Sequence, residues 1–163
     1  MQAVEAIREW QRRCEAAVEE VRSVVEEMSE EVFRRTPADE GEWGAREVLA
    51  HLAGAAEGGY VAVLRAAREN GEKPTDFVRE AVFDWQSRAE LSRPELLELV
   101  EAEYASMREF LGELAEKDLE QEIFVPSLAA TPLTARPTLG ALVEGLSVRH
   151  VEGHVKQLRS LTT

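Results

Sequence analysis

Apolar positions recur at steps of three and four through four long stretches of this chain, the spacing of one buried face on an α-helix. The first stretch covers residues 3–29, where Ile7, Trp10, Cys14, Ala17, Val21, Val24 and Met28 are separated by Arg and Glu. The second begins at Gly44 or Ala45 and runs to Asn70-Gly71, which stops it. Its stripe is Leu49, Leu52, Ala56, Gly59, Val63 and Ala66, with Val48, His51 and Ala55 beside it. Gly54, Gly58 and Gly59 make the middle of this helix small, which favours close helix approach over room for a ligand. The third starts at Ser92, with Pro94 and Glu95 in its first turn, and carries Leu97, Val100, Tyr104, Met107, Leu111 and Leu114 before ending near Lys117. The fourth is capped by Thr138, and its inner stripe is Leu139, Leu142, Val143, Leu146, His150, His154 or Gly153, Leu158 and Leu161.

The connections are long. Residues 30–43 contain Pro37 and Gly41, which break helical periodicity, and Phe33 and Trp43, which are expected to tuck against the end of the bundle. Residues 77–91, with Phe77, Val82, Phe83 and Trp85, predict one short extra helix lying across a bundle end. Residues 118–137 are irregular, with Pro126, Pro132 and Pro137, and Ile123-Phe124-Val125 is too short to found a sheet. Together these elements predict an all-α fold: a four-helix bundle with long connections, forming a single domain over residues 1–163.

Composition narrows the function classes. With 32 acidic against 19 basic residues the net charge is −13, which disfavours nucleic acid and anionic membrane surfaces as partners. No apolar run approaches the length of a membrane span, and the N-terminus lacks a basic segment followed by an apolar one, so a cytoplasmic location is expected. The single cysteine, Cys14, excludes an internal disulfide and falls on an apolar stripe, where a thiol is ordinarily a small buried hydrophobe.

The candidate chemistry lies in the histidines. There are three, and all fall on or beside inward-facing stripes: His51 in the second helix, His150 and His154 in the fourth. Positions i and i+4 on a helix share one face, so His150 and His154 can reach one ion. A third imidazole from a facing helix would complete three nitrogen ligands and leave positions open, the catalytic rather than the structural pattern. The bland alternative is three core histidines that only hydrogen-bond. Without a nearby cysteine, such a donor set suits zinc, nickel or iron(II) better than a cluster.

The stretches Trp43-Gly44-Ala45-Arg46-Glu47-Val48-Leu49-Ala50-His51-Leu52 and Leu142-Val143-Glu144-Gly145-Leu146-Ser147-Val148-Arg149-His150-Val151-Glu152-Gly153-His154 resemble the DinB/YfiT-like superfamily. That pattern is a Trp-Ser opening into a helix with an early histidine, then H-x-x-x-H on the last long helix. The resemblance covers essentially the whole chain. It departs at Gly44, where the family usually has Ser, which weakens a cap without touching the metal. It implies that His51, His150 and His154 are metal ligands in a bundle, often a homodimer, with a divalent ion near one end. Zinc or nickel is expected first, with iron or manganese also compatible. Some members are thiol S-transferases using bacillithiol, mycothiol or glutathione, one branch is mycothiol-dependent maleylpyruvate isomerase, and others are described as metal-dependent hydrolases. A thiol and an electrophilic substrate are therefore the expected small-molecule partners, with a hydrolase or a non-catalytic metal- or ligand-binding bundle as alternatives.

An ion held there would supply Lewis acidity, either to a thiol or to a water with its pKa lowered toward about 7. No catalytic acid or base is evident. Glu47, one turn before His51, could orient that ring, but it reads more simply as a first-turn carboxylate on the helix dipole. Glu152 is expected to face solvent, opposite the histidines. Tyr60 and Trp85 could border a pocket, though packing explains both.

Overall fold

The structure, a computed structural model, describes residues 2–39, 41–54, 59–72, 88, 90–126 and 136–162. The first helix, α1 (Gln2–Glu27), buries Ile7, Cys14, Ala17, Val21 and Val25. Its stripe thus closes on Val25 rather than Val24, a step of four from Val21 that leads on to buried Met28. The Cys14 thiol is fully buried, and loss of solvent pushes its pKa up to about 12, which makes it an inert core group. The connection that follows is not wholly irregular. Ser29 caps a short helix α2 (Glu30–Arg34) by accepting from the Val32 amide, and this turn drives Phe33 into the core.

The long second helix of the sequence reading is two helices, α3 (Ala45–Leu52) and α4 (Gly59–Asn70). Gly54 at φ +73 and Gly59 at φ +58 take left-handed conformations that stop one helix and precede the other. Two charged side chains from distant positions satisfy the broken ends. Arg88 is buried and donates to the carbonyls of Ala50 and Gly54 at the end of α3. Glu103 accepts from the Val61 amide at 3.1 Å and from the Tyr60 amide at the start of α4. The small residues are therefore a backbone requirement. A Cβ on Gly59 would collide with the Glu103 carboxylate.

Helix α5 (Arg93–Gly112) opens with the expected capping box between Ser92 and Glu95. A turn and the short α6 (Glu116–Leu119) follow it. Residues 121–126 are extended but make only isolated bridges among the described residues, tying Glu72 to Phe124 and Glu122 to Thr138. The predicted helix over 77–91 lies almost entirely outside the described residues, as do Trp85, Ala55, Ala56 and Gly58.

The last rod is α7 (Leu139–Glu144), a π-helical turn over Gly145–Arg149, and α8 (His150–Ser160). Thr138 caps it as expected, accepting from the Ala141 amide at 3.2 Å. In the π turn the His150 amide donates to the Gly145 carbonyl, five residues back. This extra residue changes the buried face. Leu139 and Val143 are buried above the turn, Val148 within it, and Val151, Val155 and Leu158 below it, while Leu142 and Leu146 are only partly buried. Val143 and Val148 are five apart, a spacing that an uninterrupted α-helix would turn about 140° away from one face.

Helix α1 packs on α5 and α8, α3 on α5 and α8, and α4 on α5 and α7, so four helical columns enclose one hydrophobic core. No described helix is long and apolar enough to cross a membrane.

Candidate metal centre

His51 projects from the last turn of α3, and His150 and His154 from the first two turns of α8, where the two helices pack together. The Nε2 atoms of His51 and His150 are 2.7 Å apart, and those of His150 and His154 are 3.2 Å apart. Two ligands on one ion with bonds of about 2.1 Å stand no more than ~4.2 Å apart, so both spacings are compatible with a shared ion. One nitrogen from each ring lies within 4.8 Å of the others, and the rings meet edge to face. Among the described residues no further His, Cys, Asp or Glu joins them.

The outer nitrogens have their own partners. His154 Nδ1 is 2.8 Å from the amide oxygen of Gln157, and His150 Nδ1 is 3.3 Å from the Tyr104 hydroxyl. Neither partner was singled out from the sequence. Gln157 sits three residues beyond His154, a spacing that could have marked it, whereas Tyr104 looked like one more apolar position on the α5 seam. Tyr60 does more than pack. Its hydroxyl donates to the His51 carbonyl at 2.6 Å, and its ring meets His150 edge to face at a 5.0 Å centroid spacing. Trp43 forms a wall, 4.7 Å from the His51 ring and stacked on His154 at 6.1 Å.

Burial dominates the electrostatics. His51 is pushed down to about 4, first by desolvation and then by repulsion from His154. His154 is also lowered by burial, with the Gln157 contact opposing. Tyr60 and Tyr104 are held above the ordinary phenol range by desolvation, so both remain neutral. These effects favour neutral His51 and His154, each with a lone pair available.

Glu47 does not orient His51. Its carboxylate is buried and turned back along α3, and Oε2 lies 2.9 Å from where a Cβ on Gly44 would stand, with no hydrogen-bond partner among the described residues. Glu152 does lie away from the histidine cluster, but it is only half exposed. It forms a two-pronged ion pair with Arg13 of α1 at 2.8 and 2.9 Å, which clamps the histidine-bearing helix to its neighbour. The alternative inward position, Gly153, is exposed, and His154 is the one that faces the bundle.

The family model of the DinB superfamily matches residues 4–158. The chain belongs to that superfamily. No curated protein and no solved structure matches it. For this DinB-superfamily chain, membership and the three-histidine group together fit a metal-binding protein. The donor set also passes a chemical test. It offers three neutral, nitrogen-only ligands with inward Nε2 atoms, and two of the outer nitrogens have a polar partner.

Proposed function

We propose that His51, His150 and His154 hold a divalent metal ion, zinc or nickel first, and that the protein is a metal-dependent thiol S-transferase. It would act on a low-molecular-weight thiol and an electrophilic substrate. The observation that carries the metal reading is the count of protons among the three rings. Gln157 presents an oxygen to His154 Nδ1, so a neutral His154 carries its proton there and has a bare lone pair at Nε2. His150 Nε2 faces that nitrogen at 3.2 Å and His51 Nε2 at 2.7 Å, and has at most one hydrogen to offer. Every neutral arrangement therefore splits one hydrogen, sets hydrogen against hydrogen or sets lone pair against lone pair. Protonating His150 would not relieve the conflict, because its Nε2 still holds at most one hydrogen, and burial opposes charge on His51 and His154. A cation bound by all three lone pairs resolves it.

The ion would supply Lewis acidity that stabilises a thiolate at neutral pH. Among the described residues the chain brings three candidate ligands together and no fourth, which would leave coordination positions for exchangeable groups beside the half-buried His150 and His154. Trp43 and Tyr60 wall the cluster. Metal analysis of protein purified without a nickel column tests the site. Wild type is expected to carry about one equivalent and His150→Ala far less, and equal content in both would sink the assignment. Incubation with several thiols and a model electrophile, with and without chelator, tests the reaction. Turnover that needs no thiol but is abolished by chelator would point to a hydrolase instead.

A further inference from the structure

The protein atoms just outside the cluster differ in what they demand of the histidines. The Tyr104 hydroxyl, 3.3 Å from His150 Nδ1, can either donate or accept, so it imposes no tautomer. Gln157 is different. Its carbonyl oxygen lies 2.8 Å from His154 Nδ1, and an amide oxygen can only accept. Gln157 is three residues from His154 on the same face of α8, so the pair moves as one unit with the helix. Gln157 is half buried, which partly shields the bond from water. The other tautomer would place oxygen against a lone pair at Nδ1 and a hydrogen at Nε2, where a metal must bind.

We propose that Gln157 is a positioning residue for the metal centre: its amide oxygen takes the Nδ1–H of His154 and so presents the Nε2 lone pair to the ion. This rests on the metal-site reading given above, but its first consequence is visible without any metal. A ligating histidine held through its outer nitrogen loses about 10–100-fold in metal affinity when that partner is removed.

Two measurements on the full chain test this. In metal-free protein labelled with nitrogen-15 in histidine, the ring shifts of His154 report its tautomer directly. Wild type is expected to be mainly Nδ1–H, and Gln157→Leu to gain Nε2–H. Zinc affinity, measured by competition with a chromogenic chelator, is expected to fall about 10–100-fold in Gln157→Leu. Gln157→Glu, which restores an acceptor, should recover both the tautomer and at least wild-type affinity. Thermal unfolding of the metal-free variants should stay close to wild type, which separates positioning from loss of fold. A wild-type His154 that is mainly Nε2–H would overturn the inference, as would a Gln157→Leu variant with unchanged tautomer and affinity. Failure of wild type to take up zinc, with the tautomer response intact, would overturn the metal reading and with it the role of Gln157 toward an ion, leaving only its control of the His154 tautomer.

Discussion

The Tyr60 hydroxyl donates to the main-chain carbonyl of His51 at 2.6 Å, joining the first turn of α4 to the last turn of α3 across the break between them. The same hydroxyl lies 3.4 Å from both nitrogens of the His51 ring. The bond therefore holds the backbone from which a candidate ligand projects. Tyr60→Phe keeps the ring but leaves a buried carbonyl with one partner fewer. It is expected to lower stability by about 1–2 kcal/mol, read from urea unfolding, and to weaken zinc binding several-fold. Unchanged stability would show that the hydroxyl is dispensable.

Gly44 is where the family pattern usually has Ser, and a serine N-cap would ordinarily stabilise a helix by about 1 kcal/mol over a residue that cannot cap. Here the opposite is expected. A Cβ on Gly44 would stand 2.6 Å from the Arg35 carbonyl and 2.9 Å from Glu47 Oε2, and the carbonyl is backbone that cannot swing aside. Gly44→Ser should destabilise the protein by about 1–3 kcal/mol, the cost of overpacking. A rise in melting temperature would refute this reading of the contact.

The junction between α3 and α4 rests on Gly59 and Glu103. Gly59→Ala puts a side chain at φ +58 and into the Glu103 carboxylate, so a loss of about 1–3 kcal/mol is expected from the backbone alone. Glu103→Ala removes the acceptor for the first amides of α4 and should cost about 1–2 kcal/mol. Because the two substitutions disrupt one contact, the double variant should lose less than the sum. Additive losses in a double-mutant cycle would count against the shared contact.

The metal-free protein should weaken in mild acid. His51 has its folded pKa depressed from 6.5 to about 4, so between those values the unfolded chain takes up a proton that the folded chain refuses. Stability is then full above about pH 6.5 and falls as the pH drops toward 4, by at most about 1.4 kcal/mol per unit for this group. His154 acts in the same direction. Glu103, raised by burial, acts oppositely, because its folded form holds a proton longer. Urea midpoints at several pH values, compared between wild type and His51→Gln, should show a flatter profile in the variant. Parallel profiles would mean that His51 is not the group responsible.

The sequence made some of this arrangement legible and hid other parts for physical reasons. The i, i+4 pair was readable because four residues return a helix to nearly the same face, and the His51 helix because Trp43-Gly44 opens it. The break at Gly54 was hidden because its small neighbours kept the three-four rhythm, and periodicity carries no information about the sign of φ. What stabilises that break, Arg88 and Glu103, lies 34 residues and more along the chain. The π turn was hidden for a related reason. Leu142 and Leu146, four apart, fit a straight helix better than Val143 and Val148, five apart, and only packing reveals which pair is buried.

The π turn also makes the cluster sensitive to the length of the chain. Removing one residue of the turn before Val148 would let the last rod wind as plain α-helix with Val143 and Val148 four apart, about 40° around the axis, so that both stay on one face. Leu139 and Val143 could then stay in the core with His150 and His154 still facing His51. The loss of one codon there is therefore expected to spare the centre, whereas the loss of a second, with every histidine intact, would turn the two ends of the rod by about 100° and pull the histidines apart.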